Sequence, residues 1–267
     1  MTQAQELLAL AVDTAARAAA FLRDGRESLD VGSDDVTTKS SPTDVVTAMD
    51  KAAEAMIVDS LLCARPDDGV LGEEGASRPG TSGVRWVIDP VDGTVNYLYR
   101  LPSWSVSIGV EVDDEVVAGV VHDGPRDIAW TGRLGGGAFR DGIPVRCSTE
   151  TDLSQALLAT GFGYAAETRR AQGQVMGALL PEIRDIRRLG SAALDLCAVA
   201  AGHVDVYYEQ GLNPWDLAAG GLIAREAGCR VEGFNGESAG YRMVVAAPPA
   251  LFDPLHALLV ALRADEA

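Results

Sequence analysis

The stretch that most constrains the fold is Trp86-Val87-Ile88-Asp89-Pro90-Val91-Asp92-Gly93-Thr94-Val95-Asn96-Tyr97. It opens in an apolar run, residues 84–88, of the kind that forms a buried strand, and the strand is expected to stop abruptly at Asp89. Gly93 and Thr94 suit a tight turn opening into a helix. Two acids three positions apart at a strand's carboxyl end, beside free backbone amides, make a place for a divalent metal and an anion. Asp, Pro and Gly are also the residues of an ordinary surface turn, so the stretch alone leaves both readings open.

Further acids recur at the ends of expected elements. Asp50 falls in a second helix, Glu73 and Glu74 follow a short strand at Val70-Leu71, and Asp216 lies in Asn213-Pro214-Trp215-Asp216, opening a helix. Each has a plain alternative: Asp216 complements a helix dipole, and Glu73-Glu74 reads as a solvated pair. Their recurrence favours a metal site, since carboxylates, water and substrate phosphate together are what Mg²⁺ prefers. Metal-assisted phosphate ester hydrolysis needs cations, donors for the phosphoryl oxygens and an oriented water. The amides of Gly93 and Thr94 can supply donors, and the Thr94 hydroxyl, bonded to a carboxylate, can take the water's proton or hold it in line. No Cys-x5-Arg loop occurs, and His122, His203 and His256 lie away from the acidic motifs in the sequence. That favours direct attack by a metal-activated water over a phosphoenzyme.

The 267 residues are 47% hydrophobic, enough for a large core, and carry a formal charge of -17. Such a charge argues against direct nucleic-acid binding and against an anionic membrane surface. An acidic enzyme acting on an anionic substrate would need metal ions to offset its own field. Cys63, Cys147, Cys197 and Cys229 are scattered in apolar or small-residue segments and read as core or near-core thiols of a reducing compartment. The helical, mixed-charge N-terminus does not read as a signal peptide, and no apolar run approaches a membrane span. The expected localisation is cytoplasmic.

Residues 3–24 read as a helix closed by Asp24-Gly25, residues 25–42 as a loop, and a second helix as capped by Thr43 or Asp44 and stopped by Arg65-Pro66. Two strands around Asp113-Asp114-Glu115 form a hairpin, and from about residue 156 strands and helices alternate. The expected organisation is an N-terminal α+β lobe, 1–147, carrying most metal ligands, and a C-terminal α/β lobe, 148–267, completing one compact catalytic unit. Trp104, Ile108 and the Leu101-Pro102-Ser103 turn read as core, with a dimer interface as the other reading.

The stretch DPVDGTVNY resembles the first signature of the inositol monophosphatase family; GEEG at 72–75 and NPWDLAAG at 213–220 resemble its metal-binding motifs. KSSPTDVVTAMD at 39–50 and RRLGSAALDLCAVAAG at 187–202 are similar to its N-terminal and substrate-pocket segments, so the resemblance covers nearly the whole chain. It implies an α+β fold, a layered αβαβα sandwich of the inositol monophosphatase and fructose-1,6-bisphosphatase type. It implies two to three Mg²⁺ ions: Glu73, Asp89 and the Val91 carbonyl on the first, Asp89, Asp92 and Asp216 on the second, and Glu73 on a weaker third. Thr94 with Asp50 would activate the water, with Glu73 and Asp92 also catalytic. The Gly93 and Thr94 amides would hold phosphate. Asp92, Ala192 and Glu209 would face the inositol hydroxyls, Asp216 would lie near the leaving oxygen, and Lys39 matches a loop lysine near the metals.

The implied activity is hydrolysis of myo-inositol monophosphate, a small phosphorylated polyol, with lithium sensitivity and a homodimer as usual in the family. The short linker before DPVDG and Gly161-Phe162-Gly163-Tyr164 resemble bacterial members and leave the substrate open. Alternatives are a related phosphatase, acting on histidinol phosphate, fructose 1,6-bisphosphate or a nucleotide phosphate, and an accessory protein-binding factor in which catalysis is secondary.

Overall fold

A computed structural model describes residues 2–27, 36–38 and 45–266. Helix α1 (Gln3–Arg26) opens with a capping box between Thr2 and Gln5 and buries Leu7, Ala11, Ala15, Ala18 and Leu22 along one stripe. It runs past Asp24-Gly25, the expected stop. Arg26 holds the last turn by donating to the carbonyls of Tyr97, Asn96 and Leu101 at 2.8, 3.1 and 3.0 Å. Strands β1 (Val36–Thr38) and β2 (Val45–Thr47) pair antiparallel and lead into α2 (Ala48–Ala64). Its cap is Thr47, whose hydroxyl accepts from the amides of Met49 and Asp50. Thr43, Asp44 and Lys39 lie outside the described residues.

Next come β3 (Gly69–Gly72), β4 (Ser77–Arg78), β5 (Val84–Asp92) and the short α3 (Thr94–Leu98). Strand β5 does not end at Ile88 as expected. It pairs Asp89 with Ser107 and then Asp92 with Ser105 of β6 (Ser105–Val112), skipping Pro90 and Val91. Proline has no N–H for the ladder, so the strand bulges there and resumes instead of stopping. Strand β7 (Glu115–Asp123) follows a tight turn with Asp113 and Asp114 at φ 51° and 66°, the twist a two-residue hairpin demands. With β8 (Ile128–Arg133), β9 (Gly137–Arg140) and β10 (Ile143–Pro144) the eight-stranded order is β10-β9-β8-β7-β6-β5-β3-β4.

The remainder alternates: β11 (Leu157–Thr160), α4 (Ala166–Leu179), β12 (Asp185–Arg187), α5 (Ala192–Ala200), β13 (Val206–Glu209), α6 (Pro214–Glu226), β14 (Arg230–Glu232), β15 (Val244–Ala247) and α7 (Pro249–Ala261). The second sheet has the order β12-β11-β13-β15-β14, with β11 parallel to both β12 and β13. Helices α1 and α2 cover one face of the first sheet around Trp86, Ile88 and Trp104. Helices α5 and α6 fill the space between the sheets with Ala193, Leu196 and Ile223, in one cluster with Tyr207 of β13. Outside the second sheet α4 and α7 bury Val175, Leu179, Leu251 and Leu255. The result is an α+β layered sandwich, αβαβα.

Helix α6 lies unusually close to the first sheet. A Cβ on Gly119 would fall 2.8 Å from the Cα of Ala219, and one on Gly109 2.6 Å from the Ala218 side chain. Trp104 and Ile108 are fully buried, so the core reading of those two is the correct one, whereas Leu101 is half exposed. Of the cysteines Cys197 and Cys229 are buried, but Cys63 is exposed and not the core thiol expected. It follows α2's last buried residue, Leu61, by two positions and so faces away from the sheet.

Candidate active site

The bulge in β5 aims its two acids. Asp89 is buried, and its Oδ1 accepts from the Val91 amide at 3.0 Å, which keeps the carboxylate folded over the bulge. Asp92 points across to α5: Oδ2 accepts from the Ser191 hydroxyl at 2.5 Å and the Ala193 amide at 2.8 Å, and Oδ1 from the Ala192 amide at 3.2 Å. A single carboxylate thus caps α5, and the two sheets meet through it. Asp216 is held in the first turn of α6 by a capping box, accepting from the Asn213 amide at 2.7 Å. Carboxylate oxygens of Asp89, Asp92 and Asp216 all lie within 4.8 Å of one another.

Three carboxylates so close in a protein interior repel one another, and burial compounds the cost of their charge. Burial, then Glu73, Asp92 and Asp216, raise the Asp89 carboxyl well above the ordinary range. Asp216 is raised likewise by burial and then Asp92 and Glu73. Burial pushes Asp92 up to about 6 against the opposing hydrogen bonds from Ser191 and Ala193. No Lys or Arg forms an ion pair with these three among the described residues. An acid cluster with oxygen ligands and no internal counterion fits a hard divalent cation.

Glu73 lies in the turn after β3, its amide bonded to the Ile88 carbonyl at 3.1 Å. It shares a hydrogen bond with Asp89 but stands outside the trio. The Thr94 hydroxyl donates to Asp50 Oδ1 at 2.9 Å and lies 3.1 Å from the Val91 carbonyl. Asp50 Oδ2 in turn accepts from the amide of Thr47 at 3.0 Å and from its hydroxyl. Burial raises the Asp50 carboxyl despite these bonds. Gly93 caps α3 at φ 95°, and a Cβ there would be 3.0 Å from the carbonyls of Gly190 and Ser103. Only glycine suits that position.

On the other side, Ala192 opens α5 and Glu209 ends β13, its Oε2 accepting from the Tyr207 hydroxyl at 2.7 Å. Burial pushes Glu209 up to about 7. Three groups escaped the sequence analysis. Ser191 and Thr47 are caps, legible as Ser or Thr just before a helix. Asp195 is buried in α5 with Oδ1 lacking a hydrogen-bond partner among the described residues, and burial and Glu209 raise its carboxyl. No local signal separates it from an ordinary polar helix position.

The fold and this clustered acidic centre, which could hold a metal, define a class, the layered-sandwich phosphatases. The profile of the inositol monophosphatase family matches residues 3–264, and the chain belongs to that family. It is 44% identical over 269 residues to the inositol-1-monophosphatase SuhB of Mycobacterium tuberculosis, covering 95% of this chain and 93% of that one. The Nus factor SuhB of Escherichia coli is 44% identical over 201 residues, 74% of this chain and 75% of that one. Among solved structures, the IMPase of Thermotoga maritima superposes with a TM-score of 0.88 at 30% identity, covering 98% of this chain and 100% of that one. No helix among the described residues is long and apolar enough to cross a membrane.

Proposed function

We propose that this chain is a Mg²⁺-dependent phosphomonoesterase that hydrolyses myo-inositol monophosphate to myo-inositol and phosphate. The observation that carries the reading is the acidic trio of buried Asp89 and Asp92 with half-buried Asp216, without a basic partner among the described residues, next to the Thr94–Asp50 pair. Glu73, Asp89 and the Val91 carbonyl would hold one ion, Asp89, Asp92 and Asp216 a second, and Glu73 a weaker third. Bound there, the ions supply Lewis-acid stabilisation of the phosphoryl oxygens and make water a better nucleophile.

The chain's own groups do the rest. Thr94 donates its hydroxyl proton to Asp50, which leaves an oxygen lone pair to accept a proton from the attacking water. Asp50's raised proton affinity suits it to take the Thr94 hydroxyl proton as the Thr94 oxygen takes the water's. The Gly93 and Thr94 amides hold phosphate. Glu209, Ala192 and Asp92 accept or donate to the hydroxyls of the alcohol, and Asp216 lies on the side of the leaving oxygen.

Phosphate release from a panel of inositol 1-phosphate, histidinol phosphate, fructose 1,6-bisphosphate and adenosine 3′,5′-bisphosphate, with Mg²⁺ titrated, tests the reading. Undiminished turnover in excess EDTA sinks the metal mechanism, and a clear preference for histidinol phosphate sinks the substrate. Li⁺ is expected to inhibit uncompetitively. We also propose a cytoplasmic homodimer. Tyr99 and Leu101 are 61% and 50% exposed, and the Asn96 side chain joins their loop, at the Ser103 carbonyl, to exposed Leu189 at 2.7 Å each. Sedimentation of the protein as a monomer at micromolar concentration would refute it.

The name of the Escherichia coli relative supports a second reading, an accessory role through protein contacts with catalysis secondary. Asp89→Asn separates the two better than a change at Asp92, because Asp92 also caps α5. A cellular phenotype that survives loss of hydrolysis in that variant favours the accessory role.

A further inference from the structure

Glu209 reaches the site beside a position that carries no side chain. Strands β11 and β13 run parallel in register, with Ala159 against Tyr207 and Thr160 against Tyr208, so the next residues abreast are Gly161 and Glu209. A Cβ on Gly161 would fall 2.0 Å from Glu209 Oε1, 2.2 Å from Cδ and 2.3 Å from Oε2. These separations are far inside the ~3.5–4.0 Å of an ordinary carbon contact. The volume of a methyl group is therefore filled by the carboxylate itself. On its other flank the fully buried Tyr207, two residues earlier on the same face of β13, donates its hydroxyl to Oε2 at 2.7 Å.

Two features make the seat local. Gly161 is not in the left-handed backbone region, so alanine meets no backbone strain there. The three nearest atoms in its way all belong to the far end of one side chain. A methyl at 161 thus displaces the Glu209 carboxylate from the Tyr207 hydroxyl and leaves both strands in place.

We propose that Gly161 is a specificity-determining residue: its missing side chain seats the Glu209 carboxylate against Tyr207, and that seat selects the alcohol released. The inference rests on the reading above that Glu209 faces the leaving alcohol. Gly161 touches no substrate atom in this scheme and acts through Glu209.

The test is a double-mutant cycle of Gly161→Ala and Glu209→Ala on full-length protein at saturating Mg²⁺. Each protein is assayed with inositol 1-phosphate and with p-nitrophenyl phosphate, whose leaving group has no ring hydroxyls. Gly161→Ala is expected to lower kcat/KM for inositol 1-phosphate ~10-fold or more relative to p-nitrophenyl phosphate, mainly through KM, the scale of one lost charged hydrogen bond. Glu209→Ala should show the same selectivity loss, and adding Gly161→Ala to it should cost nothing further, since the carboxylate is already gone. Equal losses on both substrates, or full multiplicative loss in the double variant, would overturn the proposal. If the wild type prefers another ester of the panel, the inositol reading fails. The cycle run on that ester then still decides the coupling, additivity overturning it and non-additivity supporting it.

Discussion

The Thr94 hydroxyl lies 2.9 Å from Asp50 Oδ1 although α3 and α2 place the two residues 44 positions apart. Both are buried, and Thr47 holds the other carboxylate oxygen, so the pair is rigid before any substrate arrives. Thr94→Ala is expected to lower kcat by ~10²–10⁴-fold, the usual contribution of general acid–base help. Mg²⁺ activation should persist, and Thr94→Ser should recover most of the rate. Steady-state kinetics with Mg²⁺ titrated check it; equal defects in the Ala and Ser variants would assign Thr94 to packing.

Asp89→Asn removes one buried member of the acidic trio. Hydrolysis is expected to fall at least ~100-fold with a weakened Mg²⁺ response. The metal-free variant should nonetheless melt at a higher temperature than metal-free wild type, because a repulsive buried charge is gone. Calorimetry in EDTA reads this directly, and a lower melting temperature contradicts the electrostatic account.

The same charges predict a pH dependence. The folded-state proton affinity of Asp89 and Asp216 is raised, and Asp92 titrates at about 6. A carboxyl that binds its proton more tightly folded than unfolded contributes stability below its unfolded pKa of ~4, and loses that contribution as pH rises through the folded value. Metal-free protein should therefore lose melting temperature from about pH 4 to above 6, and Mg²⁺ should stabilise it more at about pH 8 than at about pH 5. An equal Mg²⁺ gain at both pH values would show that the carboxylates do not bear the load.

Glu54, one turn after Asp50 on α2, is buried and accepts from the amides of Glu74 and Ala76, each at 2.8 Å. It holds the turn that presents Glu73. Glu54→Ala should raise the Mg²⁺ requirement by ~10–100-fold, in line with other outer supports of metal ligands. High Mg²⁺ should restore much of kcat. An unchanged Mg²⁺ profile would limit Glu54 to a loop brace.

Gly119→Ala pushes a methyl into the backbone of α6 at Ala219. Overpacking of this kind costs ~1–3 kcal/mol, to be read from denaturant midpoints.

Asp89, Asp92 and Asp216 were legible through their recurrence at the termini of expected elements, where each alone could be a turn or a dipole partner, and the structure brings them within 4.8 Å. The expected stop of β5 at Asp89 is the misreading: two carboxylates around a proline look like a turn, and only pairing with β6 shows a bulge. Thr47 and Asp50 form a capping box, yet breakers just before them drew the expected cap toward Thr43 or Asp44. Asp92's bonds to Ser191, Ala192 and Ala193 span about 100 residues and depend on how the sheets stack, which no local pattern encodes. Gly161 is silent until β11 and β13 are set in register.

The division of labour between the two sheets has a bearing on descent. Asp89, Asp92 and the Thr94–Asp50 pair stand on the first sheet and its helices and Asp216 on α6 between the sheets, while Gly161, Tyr207 and Glu209 stand at the second. On the proposal above, variation at 161 and 207–209 would retune the choice of alcohol while the proposed hydrolytic residues are inherited unchanged. Exchanging residue 161 and residues 207–209 between family members would then transplant a preference and leave the reaction itself to the host.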